Sequence, residues 1–157
     1  MLTACSFGIG RMFISCEDKI ADERLEQVLS SIKAEDKGAL KALFSKQALE
    51  ETNDFDNGVD YLFDLFQGDV ESWEREKWSS SESIQYGEKS VEIRSWYTVS
   101  TDKDNYLFFI YDFTEDTINP NNEGLYTLRV VKAEDEETQF AGYWQDIVIA
   151  GIYKPED

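Results

Sequence analysis

Three runs of strand-forming residues between Val91 and Val131 constrain this chain most: Val91–Thr101, Asn105–Thr114 and Leu125–Lys132. The middle run is apolar or aromatic at both alternating positions from Tyr106 until Asp112. A strand that alternates polar and apolar residues has one wet face, whereas one apolar on both sides needs cover on both. The run before it alternates cleanly, with Val91, Ile93, Tyr97 and Val99 on one face and Glu92, Arg94, Trp96 and Thr98 on the other. Asp102–Asn105 has the length of a hairpin loop. Glu115–Gly124 is a longer loop in which Pro120 and Gly124 stop regular structure. Asp69–Trp78 and Ser83–Gly87 read as two shorter strands separated by a Ser79–Ser81 hinge, and Tyr143–Tyr153 adds a last strand that Pro155 ends.

The residues ahead of these strands carry helical spacing instead. Leu25, Val28, Leu29 and Ile32 form one stripe, expected on a helix capped by Asp18 or Asp22 and running to Lys33. Ala39, Leu40, Leu43 and Phe44 make a short second helix with Asp36 as its N-cap, and Ser45 caps a further turn bearing Ala48 and Leu49. Phe55, Val59, Leu62, Phe63 and Phe66 mark a third helix, with Gly68 just beyond its end. Its other face repeats Asp56, Asp60 and Asp64; carboxylates at this spacing read as a solvated face, and no metal site is expected there. Helices first and strands later give an α+β fold, with three N-terminal helices packed on a curved antiparallel sheet.

With 157 residues the chain is long enough for one domain with a sizeable core. Its 33 acidic residues outnumber 15 basic ones, a net charge of −18 that repels phosphate backbones, so no nucleic-acid partner is expected. The complete lack of histidine removes Ser-His-Asp and Cys-His catalysis and every His-containing zinc site, and no cofactor is implied. Asp112, Glu115, Asp116 and Glu123 gather near the longer loop; a cation site is conceivable there, but a wet loop rich in Asn and Asp explains the same residues.

Leu2, Thr3, Ala4 and Cys5 match a bacterial lipobox, in which the cysteine becomes the lipidated first residue of the mature protein. A complete signal also needs a charged region and an apolar run of roughly 7–15 residues upstream, and only Met1 precedes the box. Lipidation of Cys5 is therefore one expectation, placing the protein at the outer face of the cytoplasmic membrane; a cytoplasmic protein starting at Met1 is the other. Residues 1–18 are read as lipobox and tether, and 19–157 as a single domain.

Several stretches resemble a family of uncharacterised Gram-positive lipoproteins, a domain of unknown function. They are Arg24–Leu29, Ala39–Ser45, Phe63–Gly68, Ser81–Gly87, Gly124–Val130 and Tyr143–Pro155. The resemblance implies export, a lipid on Cys5, and a cystatin-like or nuclear transport factor 2-like cone in which helices lie in the palm of a strongly bent sheet. It brings no activity and no catalytic residue. If such a cone were open, its candidate pocket residues would be Trp96, Tyr111, Asp112, Tyr126, Arg129, Trp144 and Asp146. In that setting Asp112 or Asp146 would be the carboxylate beside a tyrosine. Arg94 and Arg129 would hold an anionic ligand or pair with these aspartates. Two functions follow: a non-enzymatic, lipid-anchored interaction module that meets an envelope protein or a second copy through its sheet face, or a small-molecule binding protein using the cone interior.

Overall fold

In the computed structural model, which describes residues 10–140 and 147–155 with side chains from residue 17 onward, the expected helical stripe is buried. Leu25, Val28, Leu29 and Ile32 face the sheet from α1, Gly10–Lys33. This helix begins well upstream of Asp18 and Asp22 and runs through the position where the tether was expected to end. Asp18 and Asp22 are not its caps; they serve as partners for Arg75, as described below.

The next helices follow from their caps. Asp36 accepts from Ala39 N at the start of α2, Lys37–Leu43, and Ser45 accepts from Ala48 N at the start of α3, Lys46–Glu51. The turn expected after Ser45 is thus a helix of its own. Asp54 does the same for α4, Phe55–Leu65, by accepting from Asn57 N at 3.1 Å. The sequence signal for this cap was an aspartate immediately ahead of the Phe55 stripe.

Among the described residues five strands form one sheet in sequence order: β1 Val70–Gln85, β2 Glu88–Thr101, β3 Asn105–Asp116, β4 Gly124–Lys132 and β5 Gly151–Ile152. The first three pairings are antiparallel, while β5 lies parallel to β4. That departs from the all-antiparallel sheet expected, because the chain returns to β4 after the crossover through α5, Glu136–Gln139. Of the expected strand Tyr143–Tyr153, residues 143–146 lie outside the described residues and Gly151–Ile152 are in the sheet. The expected Ser79–Ser81 hinge is absent, since β1 is continuous there. Ser79 lies opposite Arg94 and Ser81 opposite Glu92, so pairing with the long β2 overrides the weak strand preference of serine.

The core lies between helices and sheet. Tyr97, Val99, Tyr106, Phe108, Ile110, Leu125 and Leu128 meet Leu25, Val28, Leu40, Phe44, Val59 and Leu62, all buried. Gly124 permits a close approach of the two layers. Its φ is +124°, and a Cβ there would sit 2.9 Å from Ser45 N. That amide donates to Leu125 O at 2.8 Å, tying the start of α3 to β4. Bulges interrupt the β1–β2, β2–β3 and β3–β4 ladders, and such insertions bend and twist strands.

Candidate functional site

Among the described residues, the expected pocket residues do not share one face of the sheet. Neighbours on a strand point to opposite sides, and Asp112 and Tyr111 obey this on β3. Asp112 faces the helices, where Arg24 Nε donates to its Oδ2 at 2.7 Å and Nη2 to its Oδ1 at 3.4 Å. The aspartate is 3% exposed. Its cation comes from α1 rather than from Arg94 or Arg129, and the pair fastens α1 to β3. A second fastening lies beside it. Arg75 of β1 contacts Asp22 at 2.7 Å and Asp18 at 3.1 Å, while the Tyr97 hydroxyl donates to Asp22 Oδ1 at 2.9 Å. Burial, then the bond to Asp22, pushes the Tyr97 hydroxyl well above its usual value, so it stays a donor.

The other face of the sheet carries Trp96, Tyr111 and Arg129. Tyr111 donates to Glu92 Oε2 at 2.5 Å, and Arg94 bonds Glu92 Oε1 at 2.5 Å with its guanidinium 5.1 Å from the Tyr111 ring. The Tyr111 hydroxyl is pushed upward by burial first and by Glu92 second. Trp96 packs on Phe109 with centroids 4.9 Å apart, and Lys77 Nζ lies 4.4 Å from its ring. Arg129, 7% exposed, lies 3.7 Å over the Tyr153 ring and 5.5 Å from Phe140, and donates to Gln139 O. Burial pulls its pKa down. Through these contacts Gln139, Phe140 and Tyr153 pack on Arg129 at the outer face, and Phe109 and Val131 are fully buried.

Tyr126 sits where the β3–β4 register slips. Its hydroxyl donates to Glu51 at 2.5 Å and its ring lies 6.0 Å from Tyr111. Burial and Glu51 push that hydroxyl up to about 12. These tyrosines and Val148 border a cavity of about 300 Å³. Of the remaining expected residues, Cys5, Trp144 and Asp146 lie outside the described residues.

A groove of about 590 Å³ lies on the outer face, bounded by Trp96, Thr98, Leu107, Phe140 and Ile147 with Glu76, Lys77 and Glu136 at its rim. Among the described residues, Trp96 is the one expected pocket residue that it contains. The acidic loop disperses instead of forming a cluster: Asp116 accepts from Asn119 N at 2.8 Å and Asn122 Nδ2 at 3.0 Å, while Glu115 pairs with Lys89. Among the described residues no group of three or more acidic or cysteine side chains is placed to hold a metal ion. Nor is any helix among them long and apolar enough to cross a membrane. The chemistry of the outer face is thus stacking and hydrogen-bond donation. Tyr111 and Tyr126 hold their protons firmly, and Glu92 and Glu51 accept from them.

A family model described as a domain of unknown function (DUF5104) matches residues 27–133, and the chain belongs to that family. The match takes in the last part of α1, α2–α4 and β1–β4. No curated protein matches the chain.

Proposed function

We propose that this member of the DUF5104 family is a non-enzymatic binding module of the cell envelope, held at the outer face of the cytoplasmic membrane by a lipid on Cys5. The observation that carries the reading is where open volume lies. Helices and sheet share a core of their own buried side chains, whereas a groove of about 590 Å³ lies outside the sheet. Ligand sites favour apolar walls with a few polar groups, and Trp96, Leu107, Phe140 and Ile147 against Glu76, Lys77 and Glu136 fit that description. The partner is an envelope protein or a second copy of this chain, one apolar side of which enters the groove. Helices on one side of a bulged meander support the cone architecture for the family domain. Asp112, taken up by Arg24, gives no support to a proton-abstraction role.

The test is photo-crosslinking in intact cells making the full precursor. A benzophenone side chain at Thr98, inside the groove, is expected to give a discrete adduct; the same probe at exposed Lys41 of α2 is expected to give none. The mass of the adduct separates a second copy from another protein. Adducts from Lys41 alone, or none from either position, would contradict the proposal.

A further inference from the structure

A second cavity, of about 430 Å³, opens between α1, the end of α4 and the start of β1. It is independent of the outer groove. Leu29 and Ile32 form one wall, Phe63 and Phe66 another, and Val70 and Trp73 the third. The volume lies within the roughly 300–1,000 Å³ of small-molecule sites. Its walls are already fixed. Phe66 packs on Tyr106 and Phe108 with centroids 4.6 and 5.7 Å apart, and Trp73 meets Tyr97 edge-on at 5.6 Å. The Tyr106 hydroxyl accepts from Gln67 N at 2.9 Å and donates to Leu65 O at 3.0 Å. Beyond it Gly68 has a φ of +92°, and a Cβ there would lie 2.4 Å from Asp102 Oδ1. That same oxygen accepts from Asp69 N at 2.8 Å, and Thr101 Oγ1 donates to Gln67 O at 2.8 Å. A ligand entering would not have to order this wall, which lowers the entropic cost of binding.

Charge selects the ligand class. The mouth carries Glu26, Glu35 and Asp69 against Lys33 alone. The whole chain, at −18, adds a field that gathers cations and repels anions. Aromatic faces such as Trp73 and Phe63 also attract cations. We propose that this cavity binds a small ring-bearing cation: an aromatic or alicyclic group seated on Trp73, Phe63 and Phe66, with an amine or quaternary ammonium at the carboxylate mouth.

Calorimetry on the full-length protein tests this with three probes that share one ring: naphthylmethyl-trimethylammonium, 2-naphthalenemethanol and naphthalene-2-sulfonate. The cation is expected to bind at least tenfold more tightly than the sulfonate, with the neutral alcohol between. Val70→Trp fills the mouth from a position that is 40% exposed, and is expected to weaken the cation tenfold or more. Ser30→Trp obstructs the same mouth from the exposed face of α1, and serves if the first variant fails to fold. Glu26→Gln with Glu35→Gln is expected to narrow the preference for cation over alcohol. Lack of binding by any probe, equal affinity for all three, or binding untouched by both tryptophan variants would overturn the site. Crosslinking from Thr98 is expected to be unchanged in the cavity variants, so failure of this site is distinct from failure of the outer groove.

Discussion

Asp112 is the residue whose surroundings decide most. With 3% of it exposed, its carboxylate depends on Arg24, which is itself about a fifth exposed at 20%. Removing one partner of a buried pair leaves an uncompensated charge and costs about 3 kcal/mol. Arg24→Met is expected to lose about that much in urea denaturation, and Arg24→Met combined with Asp112→Leu to recover most of it. A loss well under about 1 kcal/mol for the single change would mean the pair is screened like a surface bridge. Glu51 supplies a test by pH. Hydrogen bonds from Tyr126 and then Gln47 hold its carboxyl below the ordinary 4.5. A depressed carboxylate stabilises the fold above its unfolded value, and that contribution fades as pH falls through the folded one. Tyr126→Phe is expected to raise the Glu51 value toward ordinary, read by carbon NMR of its carboxyl, and to remove that small acid-side loss.

At the scale of elements, α2 and α3 are secured by one-residue devices. Ser45 is fully buried; its hydroxyl caps α3 while its amide reaches Leu125 O. Ser45→Ala is expected to cost about 1 kcal/mol, the usual worth of an N-cap. Gly124→Ala is expected to cost about 2–3 kcal/mol, because it forces a left-handed φ and pushes a Cβ onto the backbone of the helical layer. Chemical denaturation ranks the two; the reverse order would contradict the close approach of β4 to α3. Both caps were legible in the sequence, as were the stripes of α1 and α4 and the alternation of β2, since these depend on near neighbours. The continuity of β1 was not, because Ser79–Ser81 are held by their partners on β2. The parallel return of β5 was equally hidden. For the site, period-two alternation already separates Tyr111 from Asp112. What local pattern cannot give is the partner: Arg24 comes from a distant helix, and Tyr126 meets Tyr111 only through a bulge.

For the whole molecule, the helical layer turns its apolar stripes to one side of the sheet, and Gln139, Phe140 and Tyr153 pack on Arg129 of the other. Two of the open volumes matter for binding: one outside the sheet beside Trp96, and one at the end of the layer beside Trp73. The strongly negative surface sets the sign of what approaches either of them. Occupancy of the outer groove is the central claim, and hydrogen exchange of the protein in its native membranes, compared with the purified protein, tests it most directly. Slower exchange in membranes is expected in α5 and in the stretch of β2 around Trp96 and Thr98, with α2, α3 and α4 unchanged. Protection confined to those helices, with β2 and α5 exchanging alike in both settings, would contradict the account.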